Sequence, residues 1–157
     1  MTEITTEMLL SKIDQVADLY HRLLLIVGPS GSGKTRALQN LAQETGAPLV
    51  NLNLEVSRRL LELTDRQRAL QLPQVLQEAV GNDSTTVLLD NTEILFDVSL
   101  KQDPLRLMQG LSRNRTVVIA WNGSIEGDHL VYATPEHPEF RRYPLQELVA
   151  VCTEASA

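Results

Sequence analysis

The sequence predicts a three-layer α/β/α domain around a five-stranded, mainly parallel sheet, and three observations carry that prediction. Short runs that are apolar throughout, at residues 23–27, 87–89 and 117–121, read as strands buried on both faces. Segments of helical composition alternate with them, and strand–helix alternation implies parallel pairing through right-handed crossovers. Directly after the first run stands Gly28-Pro29-Ser30-Gly31-Ser32-Gly33-Lys34-Thr35, a G-x-x-x-x-G-K-T pattern at a strand-to-helix junction.

Each element has its own local signal. Ile4, Met8, Leu9, Ile13, Val16 and Leu19 recur at helical spacing with Lys12, Asp14, Gln15 and Asp18 between them, so residues 1–22 are expected to hold an amphipathic helix. After the strand at 23–27, a helix over 34–44 ends at the stop signal Gly46-Ala47-Pro48. A short strand follows at 49–52. Residues 56–80 are helical in composition, and Pro73 is expected to divide them into two helices with a bend. Asn82-Asp83-Ser84 reads as a turn, and 85–89 as the third strand. Residues 104–111 read as a helix with Pro104 in its first turn. The fourth strand is expected at 116–121, leading into Asn122-Gly123, and a short fifth at 130–133. A helix at 144–154 closes the chain. One domain therefore spans 1–157: an N-terminal helix (1–22), a core (23–143) and a C-terminal helix (144–157).

Composition narrows the class. A chain of 157 residues can bury roughly two-thirds of its unfolded surface without a metal or disulfide staple. Hydrophobic residues make up 43% but only six are aromatic, which describes an aliphatic α/β core. A net charge of −6 and a pI near 5.0 argue against sequence-independent nucleic-acid binding as the main activity. No secretory pattern and no run of the roughly 18 apolar residues a membrane span requires is present, so a cytoplasmic location is expected. The single cysteine, Cys152, excludes an internal disulfide and is expected to pack inside the last helix.

The loop at 28–35 carries the chemistry. Backbone N–H groups of Gly28, Pro29, Ser30, Gly31, Ser32 and Gly33, proline excepted, can close around a chain of phosphates, while Lys34 reaches the β- and γ-phosphates and Thr35 ligates Mg²⁺. ATP and Mg²⁺ are the expected ligands. Asp90 ends the run Val87-Leu88-Leu89, where a carboxylate holds Mg²⁺ directly or through water. Many ATPases of this layout place a glutamate directly after that aspartate; here Asn91 follows, and an amide orients water but accepts no proton. Glu93 is the nearest replacement base, against an ordinary acid at a helix start. Asn122 ends the fourth strand and is placed to sense the γ-phosphate, against a simple Asn-Gly turn. Eleven of the fourteen basic residues are arginine. Arg58-Arg59, Arg113 with Arg115, and Arg141-Arg142 are candidates for a finger across an interface or for phosphate contact, each weighed against a solvated surface role. His21, His129 and His137 have no metal-ligand spacing.

The stretches GPSGSGKT, LNLEVSRRLLEL, VLLDNTE, LKQDPLRL and LSRNRTVV, spread over residues 23–143, together resemble the BrxF family of small P-loop proteins of type III BREX bacteriophage-exclusion systems. The resemblance implies an AAA+-like (ASCE-type) P-loop NTPase fold. It further implies an ATPase working beside a large ATPase, a methyltransferase and an alkaline-phosphatase-like protein. Little chain follows the fifth strand, so a full C-terminal lid domain is not expected. A homo-oligomer whose assembly or docking follows nucleotide state is the leading expectation. A non-hydrolysing adaptor that contacts DNA or a larger ATPase through its arginine pairs is the alternative. A small-molecule kinase suits the size, but residues 124–138 lack the arginines of a kinase lid.

Overall fold

A computed structural model describes residues 4–81 and 84–153. Its helices are α1 (Thr6–Val16), α2 (Lys34–Thr45), α3 (Leu52–Leu60), α4 (Asp65–Val80) and α5 (Pro104–Leu111). Its strands are β1 (Leu23–Gly28), β2 (Leu49–Asn51), β3 (Thr86–Asp90), β4 (Thr116–Asn122), β5 (Ser124–Glu126), β6 (His129–Tyr132), β7 (Arg141–Pro144) and β8 (Val149–Cys152). Short 3₁₀ turns occupy Glu93–Phe96 and Val98–Leu100.

Five strands pair in parallel in the order β2-β3-β4-β1-β8, so β4 lies between the strand that leads into the phosphate loop and the strand that ends at Asp90. Period-two alternation divides the sheet residues between two layers. Leu24, Ile26, Leu88, Val118 and Ala120 pack with Leu9, Leu38 and Leu41 of α1 and α2. Leu23, Leu25, Val27, Leu89, Ile119 and Trp121 pack with Val56, Leu76 and Met108 of α3, α4 and α5. With both faces covered, the central strands are continuously apolar, as their sequences require. The domain is the three-layer α/β/α fold expected, with no lid domain among the described residues.

Four expectations are corrected. The fifth strand of the parallel sheet is β8, not residues 130–133, and it occupies part of the expected C-terminal helix. Glu147, at φ 68°, interrupts any helix there, and the β-branched Val149 and Val151 then pair beside Leu24 and Ile26. Cys152 is consequently exposed on an edge strand. Residues 129–132 do form a strand, but in a separate antiparallel sheet ordered β5-β6-β7. Gly127 and Asp128 join β5 to β6 directly, and a parallel return needs a crossover of a dozen or more residues that is not available there. Finally, the helical stretch divides at residues 61–64 rather than at Pro73. Thr64 and Gln67 form a capping box that starts α4, with bonds of 2.9 and 3.2 Å, and α4 runs through Pro73. The expected turn residues Asn82 and Asp83, and residues 154–157 of the expected C-terminal helix, lie outside the described residues.

Candidate functional site

The parallel sheet brings three strand ends to one edge, where ligands of open α/β sheets bind. β1 stops at Gly28, whose register partner is Asn122 at the end of β4. β3, on the far side of β4, stops at Asp90. The chain leaves β1 through the loop and enters α2 at Lys34, with Gly33 at φ 99°, a conformation that costs glycine little. Gly28 is needed for space: a Cβ there would overlap the Ser32 and Thr153 hydroxyls.

These elements converge on a cavity of about 190 Å³ lined by Ser30, Gly31, Gly33, Lys34, Thr35, Asp90, Asn91, Glu93 and Asn122. The Thr35 hydroxyl donates to Asp90 Oδ2 at 2.7 Å, and the Asn91 N–H donates to Asp90 Oδ1 at 2.9 Å. Thr35 and Asp90 thus place two hard oxygens side by side. That donor set fits Mg²⁺, a small cation that takes one or two carboxylates and completes its shell with water and phosphate. Lys34 donates to the carbonyls of Gly28 and Pro29, both at 2.7 Å, and is 5% exposed. Burial pushes its pKa below the usual 10.5, while the carboxylates of Asp90 and Glu93 push the other way.

The segment after Asp90 is fixed by backbone bonds. Asn91 has φ 55°, and its carbonyl accepts from the Asn53 N–H at 2.9 Å. Thr92, which sequence reasoning did not single out, donates its hydroxyl to the Ala120 carbonyl on β4 at 2.8 Å. That tie holds Glu93 opposite Asn122, whose amide donates to Glu93 Oε1. Beneath the pair, Phe96 stacks on Tyr132 at 3.6 Å between centroids, and Trp121 donates to the Val131 carbonyl at 3.1 Å. The small antiparallel sheet therefore buttresses the Glu93–Asn122 side of the cavity.

The arginines are not drawn into this cavity. Arg113 and Arg115 precede β4 at its amino end, roughly 20 Å along the strand from Asn122. Arg115 is 6% exposed and donates to Gln77, while Arg113 lies 5.2 Å from the centroid of the Tyr20 ring. Neither can serve the site of its own chain. Arg58 and Arg59 engage Glu55 at 3.7 and 2.9 Å in the last turns of α3. On β7, Arg141 donates to the Gln102 carbonyl at 3.2 Å, and Arg142 is exposed.

Fold and site together define a P-loop nucleotide-binding domain. An AAA domain family matches residues 23–120, well over half of the chain, and the protein belongs to that family. The matched stretch runs from the start of β1 to Ala120 near the end of β4, so it contains the loop at 28–35, Asp90 and Glu93. No curated protein matches the sequence. Among the described residues no helix is long and apolar enough to cross a membrane.

Proposed function

We propose that the protein binds ATP with Mg²⁺ and hydrolyses it slowly. The observation that carries this reading is the meeting of Lys34, Thr35, Asp90, Glu93 and Asn122 in one cavity at the carboxyl ends of β1, β3 and β4. Loop N–H groups and Lys34 hold the phosphates, and Thr35 and Asp90 hold the metal, which supplies charge neutralisation when bound. Glu93 accepts the proton of the attacking water, and Asn122 orients that water and the carboxylate together. Because the Asn122 amide already engages Glu93, the base is restrained before ligand arrives, which suits a low basal rate.

The exposed rim at Ser30, Gly31 and Gly33 supports completion of the site by a second copy or another partner. Nucleotide state would then control self-assembly or docking. The resemblance to BrxF supports a place in a BREX phage-defence system, beside its large ATPase, methyltransferase and alkaline-phosphatase-like components. Contact with DNA, in this setting, falls to exposed arginines such as Arg113 and Arg142, away from the nucleotide.

Total ATP turnover measured across a range of protein concentrations tests this reading. Turnover should rise faster than linearly with concentration, and Glu93→Gln should lower it about 10²–10⁴-fold while ATP affinity stays within a few-fold of the parent. Equal turnover in Glu93→Gln would remove that residue from the role of base, and strictly linear turnover would remove the shared site.

A further inference from the structure

The amino edge of the parallel sheet, opposite the nucleotide cavity, carries an aromatic and basic patch that the ATP site does not use. Two segments meet there, residues 19–22 before β1 and residues 112–115 before β4. Hydrogen bonds hold them side by side. The Arg22 N–H donates to the Ser112 carbonyl at 3.0 Å, and the Val117 N–H donates to the Arg22 carbonyl at 2.9 Å. Arg22 Nη2 donates to the Arg113 carbonyl at 3.2 Å. Tyr20 stands against Arg113, whose guanidinium carbon lies 5.2 Å from the ring centroid, and the His21 ring meets Tyr20 edge to face at 4.8 Å between centroids. Even so, Tyr20 is 69% exposed.

A single exposed ring is ordinary on a protein surface. A ring held beside two uncommitted guanidiniums is a different feature. Among the described residues neither Arg22 nor Arg113 forms an ion pair, although the chain carries 20 acidic residues and Asp18 is exposed two positions before Tyr20. A planar guanidinium fork matches phosphate oxygens, and an exposed aromatic ring accepts a stacked base. A duplex keeps its base faces inside its own stack, so only an unpaired strand offers one to Tyr20. An apolar protein partner would instead have to desolvate two unpaired cations.

We propose that Tyr20, Arg22 and Arg113 bind single-stranded nucleic acid, with one base stacked on Tyr20 and the flanking phosphates on the two arginines. The inference extends the contact at Arg113 proposed above and stands apart from ATP binding, since the amino end of β4 lies roughly 20 Å along that strand from Asn122. With a net charge of −6 on the chain and few phosphates engaged, binding is modest, roughly 10⁻⁴–10⁻⁶ M at physiological salt.

Fluorescence anisotropy with labelled oligo(dT), oligo(U) and a duplex of equal length tests the proposal. The parent should bind single strands saturably and the duplex at least tenfold more weakly. Tyr20→Ala should weaken single-strand binding about tenfold, and Tyr20→Phe should keep it. Arg113→Gln should weaken it too and lower the slope of log affinity against log salt by about 0.7. Tyr20 and Arg113 are exposed, so these variants should melt as the parent does. ATP affinity in Tyr20→Ala should equal the parent's, so a failure here and a failure at Lys34 are told apart. Tighter binding of one single strand than of the other identifies DNA or RNA as the ligand and upholds the proposal. No saturable binding of either strand, a duplex bound as tightly, or unchanged affinity in Tyr20→Ala would overturn it. Competition by polyglutamate equal to that by unlabelled oligo(dT) would also overturn it, assigning the patch to an acidic protein surface.

Discussion

Lys34 shows how a functional residue is held at a cost to the fold. Burial is the main influence on its ammonium and lowers its pKa, so the folded chain disfavours the charged form that exists at neutral pH. The unfolded chain binds the proton more tightly, so by linkage stability rises with pH as Lys34 loses its proton in the folded state, and the gain is complete above the ordinary 10.5. Lys34→Met has no proton to lose, so its stability without ligand should rise less than the parent's between pH 7 and pH 10. Thermal melts over that range check it; the same pH dependence in both chains would contradict it. Asn91 poses the opposite case, in which an apparent loss of function has a backbone cause. At φ 55° it lies in the left-handed region, which asparagine tolerates better than most residues, and its carbonyl is spent on Asn53. A glutamate at that position would carry backbone strain. The carboxylate instead reaches the cavity from Glu93.

At the scale of elements, α4 continues through Pro73 because another side chain covers the gap. Proline donates no N–H to the Ala69 carbonyl, and Gln102 Nε2 donates to it instead at 2.6 Å. Gln102→Leu should cost about 1–2 kcal/mol, a fall of roughly 2–8 °C in Tm for a chain of this size. In a Pro73→Ala background the same change should cost less, since the substituted alanine has an N–H of its own for the Ala69 carbonyl, and a double-mutant cycle by denaturant unfolding measures that coupling. Additive costs would contradict the shared acceptor.

What the sequence made legible divides along the same lines. β1, β3 and β4 were readable because strands covered on both faces must be apolar throughout, and the loop with Asp90, Glu93 and Asn122 followed from where those runs end. β8 was not readable, because Val149 and Val151 gain their conformation from pairing with β1 while Leu145, Gln146 and Glu147 before them are good helix formers.

For the whole molecule, the strand order sets a division of labour. The carboxyl edge of the sheet gathers the phosphate loop, Asp90, Glu93 and Asn122, while Arg113 and Arg115 stand at the amino edge of β4. Neither of those two arginines reaches the carboxyl edge within one chain, and the small β5-β6-β7 sheet, packed through Trp121, Phe96 and Tyr132, is the element that would feel a change at Asn122. In the function proposed above, this edge binds Mg·ATP through Lys34. Calorimetric titration of Mg·ATP into the parent chain and into Lys34→Met distinguishes that reading from its alternatives. Saturable binding at one ATP per chain, weakened at least tenfold in Lys34→Met, is the predicted result; no binding to the parent, or equal affinity in both, would contradict it.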